Sequence, residues 1–360
     1  MTINIEQLTN NHDLTINKNL SASVNKQHKR SALLIGCNGT FGSAVGKELL
    51  AQGWQVKLLI RDIKKVPKWF SSKQQTKSPT TANNAKQHIC LGDCSIQSDV
   101  EQAAMGVDII VYAANPVYNQ WHKYAFAMLE PSIITAKKFG LHILFPGNIY
   151  GYNPLTTPKI DENSIPDPVT DKGVIRNQME RRLVEACNNG ATVTVIRSGD
   201  FIAKNSDTSW INHFLSKKKK HWNLADPSSG ASLHDNNAPH QHSYVWVNDL
   251  AKNAVALLDY DQQHNSGTYN HWCEPGLFSN HQDWLDAFTA NNISVKSTSF
   301  PWWGLKIWSW FNSMMKEVMK MRYLWQQSLE LDGSKIKKAL GRNYHCTPLK
   351  QIVKTLTDPS

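Results

Sequence analysis

The amino-acid sequence predicts an α/β fold, a doubly wound parallel sheet with a smaller C-terminal lobe, and three observations predict it. An apolar run, a glycine-rich turn, a helical pattern and a second apolar run follow one another within about 30 residues from Ala32, the unit from which parallel sheets are built. Short apolar runs then recur, separated by stretches of helical period, as expected when helices cover both faces of a sheet. The first turn reads Gly36-Cys37-Asn38-Gly39-Thr40-Phe41-Gly42, with glycines where a chain must turn tightly and let a ligand approach the backbone.

Met1 to Arg30 is rich in Asn, Thr and Ser without a sustained period, so residues 1–30 read as a disordered tail. Ala32 to Ile35 is the first predicted strand. Ala44, Leu49 and Leu50 give the next segment a helical apolar face up to Gly53, and Val56 to Ile60 is the second strand. From Lys64 to Lys86, Pro67, Pro79 and many Ser, Thr, Gln and Lys residues predict an exposed insertion. Further strands are predicted at His88 to Leu91, Val107 to Val111, His142 to Phe145 and Thr192 to Ile196. Helices lie between them near Asp99 to Met105, Tyr124 to Phe139 and Ile175 to Ala186.

Residues 31–200 thus form the sheet-bearing unit, and 201–360 mainly the second lobe, with some segments returning to the sheet. In that second part a short run at Tyr244 to Val247 precedes a helix at Asp249 to Leu258. Trp303, Ile307, Trp310, Phe311, Met314, Val318 and Trp325 recur with helical spacing. That predicts one strongly apolar helical face, read as core or pocket wall in preference to a membrane-surface helix.

With 360 residues, the chain buries about three-quarters of its unfolded surface and needs no disulfide or metal to hold a core. The six cysteines are scattered, and the C-x3-C pair Cys90 and Cys94 has no second pair to complete a zinc site. They read as ordinary thiols of a reducing cytoplasm. No stretch offers about 18 uncharged apolar residues, so no membrane span is expected. The net charge of +10 is local: segment 1–30 carries +2, segment 61–86 carries +6 and Lys217 to Lys220 carry +4. No helix-turn-helix, zinc-finger or aromatic RNA-binding pattern accompanies these runs. They read as solvated surface, and nucleic acid is not an expected partner.

The chemistry begins at the glycine turn. Strand before it and helix after it are the context in which backbone N–H groups and a helix N-terminus hold a pyrophosphate. Gly36, Asn38, Gly39, Thr40, Phe41 and Gly42 are therefore candidate cofactor contacts. The segment resembles the extended short-chain dehydrogenase/reductase superfamily, which contains nucleotide-sugar epimerases and dehydratases, and further stations from Ser31 to about Leu356 agree with that resemblance. The resemblance implies a Rossmann-type cofactor sheet and a substrate-binding second lobe. Arg61 closes the second strand where NAD-preferring members carry Asp or Glu; an arginine there implies NADP, with NAD as the alternative and a plain surface charge as the bland reading. Asp93 stands at the station beside the adenine, and Ala113, Ala114 and Asn115 form the small-residue turn beneath the cofactor. Gly147 and Asn148, in Phe145-Pro146-Gly147-Asn148-Ile149-Tyr150-Gly151, stand at the active-site strand end.

The departure from the family pattern is equally specific. Where the resemblance implies a Tyr-x-x-x-Lys pair that moves the substrate proton and holds the ribose, this chain has Lys172 and Arg176. The assisting serine is missing as well. Arg176 remains a candidate for holding a ribose or phosphate. Tyr150 and Lys172 are the candidate catalytic residues, with Tyr118 as a second phenol and water as a third route for the proton. The chain thus resembles the atypical branch of the superfamily. His240 and His242 form an H-x-H that reads as exposed loop, and no metal site is expected. Cys37 reads as packing, and no G-x-S-x-G elbow is present.

Three readings follow, in order. The first is a cytoplasmic, NADP-preferring oxidoreductase or epimerase-like protein that transfers hydride to or from a carbonyl, alcohol or nucleotide-sugar substrate. The second is a non-catalytic dinucleotide-binding sensor or scaffold, and the third is nucleic-acid binding through the basic runs. The resemblance also implies a homodimer formed through a helix pair.

Overall fold

The computed structural model describes residues 29–70, 88–188, 190–204, 206, 209–230 and 239–358. The expected tail, apart from Lys29 and Arg30, and the Lys-rich segment 71–87 lie outside these residues.

Fifteen strands run in chain order among the described residues: β1 (Ser31–Ile35), β2 (Gln55–Ile60), β3 (Ile89–Leu91), β4 (Ile109–Tyr112), β5 (His142–Gly147), β6 (Lys159–Ile160), β7 (Thr192–Ser198), β8 (Asp200–Ile202), β9 (Leu215–Lys217), β10 (Trp222–Asp226), β11 (His242–Trp246), β12 (Tyr269–Glu274), β13 (Leu277–Ser279), β14 (Val295–Ser299) and β15 (Glu330–Leu331). The main helices are α1 (Thr40–Ala51), α2 (Gln97–Ala104), α3 (Trp121–Phe139), α4 (Asp171–Cys187), α5 (Ile211–Phe214), α6 (Val247–His264), α7 (His281–Thr289), α8 (Trp302–Ser309), α9 (Ser313–Lys320), α10 (Tyr323–Gln326), α11 (Ser334–Leu340) and α12 (Leu349–Thr357).

Seven strands form one parallel sheet in the order β12-β7-β5-β4-β1-β2-β3. A parallel sheet needs both faces covered, so its strands read as continuous apolar runs. In β1, Ala32 and Leu34 point into a layer built with α1, α6 and α11, while Leu33 and Ile35 point into the opposite layer with α2, α3 and α4. The doubly wound architecture predicted from the sequence is the one observed, and β12 is a segment from beyond residue 200 that returns to the sheet. Arg30 seals the strand entrance by pairing with Asp259 of α6 and stacking on Trp54 at 4.1 Å.

Three smaller sheets hold the remaining strands: β14-β10-β9, β13-β11-β8 and β15-β6. They pack with α5, α7, α8, α9, α10 and α12 around two further apolar clusters.

Two expectations are corrected here. The described start of the insertion is only partly exposed: Lys64, Lys65 and Lys68 face solvent, but Phe70 is buried and the Trp69 ring lies against Gly46 of α1, where a Cβ would meet it at 2.5 Å. The tryptophan-rich end is not one helix with one apolar face. Asn312 stops the first helix and caps the next, its Oδ1 accepting from the N–H groups of Met314 (2.9 Å) and Met315 (3.1 Å). The break resets the helical phase, so Trp302, Val318 and Trp325 are buried while Trp303, Ile307, Trp310 and Phe311 face solvent.

Candidate functional site

The sheet order reverses between β1 and β4, and a crevice at such a switch point is where doubly wound sheets take ligands. The glycine turn sits there. Gly36 follows β1 at φ +89°, and a Cβ on it would lie 2.5 Å from the Ala113 carbonyl carbon and oxygen, so only glycine fits between the two strand ends. Gly42 is required one turn later, because its Cβ would run into the Gly36 carbonyl oxygen. Gly39 is the N-cap of α1 and supplies no side-chain cap, and the first turn has no acidic residue. The leading N–H groups of α1 have no partner inside the helix and add their partial positive charge at this point. A Cβ on Gly39 would meet only the Gly36 oxygen, at 3.4 Å, and the Ala113 oxygen, at 3.9 Å, so the cradle is open where a phosphate would lie. These residues fit a dinucleotide pyrophosphate. Asn38 braces the turn by donating to the Lys65 carbonyl (2.9 Å), and the Thr40 hydroxyl meets Ser206 at 2.5 Å. Burial pushes the Cys37 thiol up to about 11, in keeping with packing.

The ends of β2 and β3 supply the next group. The Arg61 side chain is 80% exposed, with Asp93 at 3.8 Å as its ion partner. Burial pushes the Asp93 carboxyl up, but hydrogen bonds from the Ser95 N–H (2.9 Å) and hydroxyl (2.8 Å), and the Arg61 charge, hold it below its ordinary value. Asp62 is committed locally, accepting from the Lys64 N–H at 2.9 Å. Ala113, Ala114 and Asn115 follow β4 directly across from Gly36, and Asn115 is exposed.

At the other end of the crevice the sequence-predicted residues are held by protein contacts. Gly147 is small because β7 crowds it: a Cβ would meet Val195 Cγ1 at 2.9 Å. Asn148 Oδ1 accepts from the Tyr150 N–H (3.1 Å), and its carbonyl accepts from the buried Arg197 guanidinium. Arg197 also pairs with Glu180 and donates to His271 Nε2 at 2.8 Å. Arg176, buried in α4, donates to the Pro146 carbonyl and lies 4.5 Å over the Phe145 ring and 5.7 Å from the Trp121 ring centre, with its Nε unpartnered.

Lys172 occupies the first turn of α4, where Thr170 caps the helix and Gly173 packs against the Tyr150 carbonyl. Its buried ammonium pairs with Glu317 of α9 and sits 4.3 Å over the Tyr118 ring. Burial lowers its pKa in spite of the Glu317 carboxylate. Glu317 also binds Lys320 (2.9 Å), which reaches back to Asp171 (3.0 Å). The Tyr150 phenol is pushed well up by burial and by the Asp200 charge. The Tyr118 hydroxyl is buried and faces the Tyr150 hydroxyl, with Asp200 and Tyr323 as its further electrostatic neighbours, and burial pushes it well up.

Sequence reasoning missed Glu317, Tyr323 and a buried Asp200–His242 pair. His242 lies in β11, not in an exposed loop as expected. Its Nδ1 donates to the Leu324 carbonyl (2.9 Å), and its Nε2 faces Asp200 Oδ2 at 2.8 Å. The strand register supplies the reason: β11 pairs with β8, which sets these two side chains together. His242 also lines a pocket formed by Phe214, Leu224, Asp226, Tyr244, Trp284 and Trp325. Asp200 thus lies between this pocket and the tyrosines beside Lys172. Among the described residues no group of three His, Cys, Asp or Glu side chains is placed to hold a metal.

No protein-family model matches the chain, and no curated protein matches it. Solved structures do. A putative epimerase from Burkholderia cenocepacia superposes with a TM-score of 0.65 at 15% identity, over 92% of this chain and 99% of that one. A nucleoside-diphosphate-sugar epimerase from Staphylococcus aureus gives 0.61 at 15%, over 90% and 99%. The Bordetella bronchiseptica enzyme WbmH, solved in complex with NAD+, gives 0.58 at 16%, over 90% and 96%. The chain has the fold of these proteins, the Rossmann-type doubly wound sheet that the motif resemblance implied.

Proposed function

We propose that the chain binds a nicotinamide dinucleotide at the β1–β4 switch point, prefers NADP, and transfers hydride to or from a carbonyl or alcohol carbon of a small molecule held by the second lobe. The observation that carries this reading is the cradle, where Gly36, Gly39 and Gly42 leave room and N–H groups for a pyrophosphate at the start of α1. Arg61, with Asp93 as its ion partner among the described residues, supports NADP, because a planar guanidinium pairs with a 2′-phosphate. When bound, the dinucleotide supplies the hydride donor or acceptor. Tyr150 holds or donates the substrate proton as a neutral phenol. Arg176 stands as a fixed cation near it, closed over Phe145, and Lys172, paired with Glu317, stands over the neighbouring Tyr118 ring. The pocket between Trp284, Trp325 and His242 receives the substrate. NAD+ in the WbmH structure is in line with the cofactor class.

A second reading, binding without turnover, is favoured by the same two cations, because both are engaged by protein groups where the family pattern needs a movable proton. One experiment separates the readings. Mass spectrometry of the small molecules retained by the purified protein identifies the cofactor, and hydride exchange is then followed over a panel of carbonyl and nucleotide-sugar compounds with the wild type and Tyr150→Phe. Retained NADP(H), with turnover lost in Tyr150→Phe, is the expected result. NADP(H) retained without exchange over the whole panel selects the sensor reading, and absence of any dinucleotide in binding titrations sinks both. The homodimer is proposed through α3 and α4, which expose Ile134, Phe139 and Val184.

A further inference from the structure

The corner between α8 and α9 exposes an unusual set of side chains. Trp303 is 75% exposed, Trp310 73% and Phe311 84%, and Ile307 and Trp308 are exposed beside them. Scattered single apolar residues on a surface need no explanation, but five large ones within nine positions of one helix and its corner do. The corner is anchored from beneath, so its exposure does not come from loose packing. Trp302 is buried, donates its indole N–H to the Pro227 carbonyl at 2.7 Å and packs tilted against Trp325, and Val318 of α9 enters the same cluster. Asn119, just before α3, holds Ser313 at 2.8 Å.

The chain through the corner carries charge of one sign. From Ala287 to Lys316 the chain contains no Asp or Glu, and Lys296, Lys306 and Lys316 are exposed. Lys123, four residues beyond Asn119, adds another exposed cation on the adjoining element. The next acidic residue, Glu317, is committed to Lys172 and Lys320. Three indoles and a phenyl ring beside lysines are the composition that settles at a lipid headgroup boundary. Side chains that stand three-quarters clear of their neighbours form a projection, which suits insertion between lipids better than the flat, interdigitated contact of a protein interface. The eight residues of α8 extend only about 12 Å, well short of a bilayer core of about 30 Å, and among the described residues no helix is long and apolar enough to cross a membrane.

We propose that the α8–α9 corner docks the protein on the surface of an anionic lipid bilayer, with Trp303, Ile307, Trp308, Trp310 and Phe311 in the headgroup boundary and Lys306 and Lys316 against lipid phosphates. The inference stands apart from the cofactor reading, since none of these residues touches the glycine cradle.

The test uses the full chain and co-sedimentation with vesicles of phosphatidylcholine alone or mixed with phosphatidylglycerol. The expected result is binding to the mixed vesicles with a blue shift of tryptophan emission, weakened at least about tenfold in Trp310→Ser/Phe311→Ser and in Lys306→Glu/Lys316→Glu. These positions are exposed, and circular dichroism checks that each variant keeps its fold. Binding left unchanged by the aromatic substitutions overturns the proposal, since adsorption then follows overall charge. Absence of binding to the mixed vesicles overturns it too. A self-associated form in light scattering that these substitutions dissolve assigns the corner to a second copy of the chain, with the same consequence.

Discussion

Arg61→Ala is the perturbation that most directly probes the cofactor reading. The guanidinium is 80% exposed, and its ion partner, Asp93, is 3.8 Å away. A charge-assisted hydrogen bond to a phosphate contributes about 1.5–3 kcal/mol. Solvent exposure and competition from Asp93 at high dielectric each reduce that figure, the latter by up to about 1 kcal/mol. About 1–2 kcal/mol remains, so the substitution should weaken NADPH binding about five- to thirtyfold and leave NADH binding within about twofold. Titration of both cofactors by protein and nicotinamide fluorescence reads this directly. The NADPH advantage of the wild type should also shrink with added salt, because an exposed pair is screened. Global stability should stay within about 0.5 kcal/mol, as for other exposed positions, so a loss of binding would not reflect unfolding. A wild type that binds NADH as tightly as NADPH, or a variant that loses both equally, would refute the reasoning.

Two further predictions concern buried charge. Glu317→Gln leaves the Lys172 ammonium buried without its carboxylate, which should cost about 3–5 kcal/mol in chemical denaturation, while Lys172→Met combined with Glu317→Leu should recover most of it. Equal loss in the single and double variants would show that the pair's charge is not what matters there. Glu274 accepts from Tyr344 (2.7 Å), Asn253 (2.8 Å) and the Gly276 N–H (3.1 Å), yet burial pushes its carboxyl from 4.5 up to about 7. The folded chain then holds a proton that the unfolded chain releases. This residue therefore makes stability fall as pH rises from about 4.5 to about 7, by about 3 kcal/mol. Glu274→Gln should flatten that slope, and a slope unchanged by the substitution would assign it to other groups.

The sheet was legible in the sequence because each of its first strands is a short, largely apolar run ending at a turn, with only Lys57 breaking the second. Ala32 to Ile35 and Val56 to Ile60 needed no tertiary information, and the glycine cradle needed only the steric rule that binds Gly36 to Ala113. β12 was not legible as a strand. Its residues Tyr269, Asn270 and His271 are polar or amphipathic, and only pairing with β7 makes a strand of them. The tryptophan-rich end failed for a different reason. Helical spacing predicts one face only while the helix continues, and the Asn312 cap breaks it. At the station where the resemblance implies a Tyr-x-x-x-Lys pair, Lys172 and Arg176 were readable. Their partners were not, since Glu317 lies 145 residues from Lys172 and Asp200 lies 42 from His242.

Those partners change what the departure from the Tyr-x-x-x-Lys pattern means chemically. A lysine in place of the tyrosine suggests a movable proton on nitrogen, with burial lowering its pKa far enough for exchange. The Glu317 carboxylate opposes that shift, because it stabilises the charged form of Lys172 in the same buried space. Arg176 offers no proton near neutral pH and is turned toward the Pro146 carbonyl and two aromatic rings. In the proposed reaction, proton handling therefore falls to Tyr150 and Tyr118, whose phenols burial keeps neutral. A neutral phenol, Tyr150 near Arg176 or Tyr118 under Lys172, can donate to a developing alkoxide but resists acting as a base. In the proposed reaction the arrangement thus suits reduction of a carbonyl better than oxidation of an alcohol.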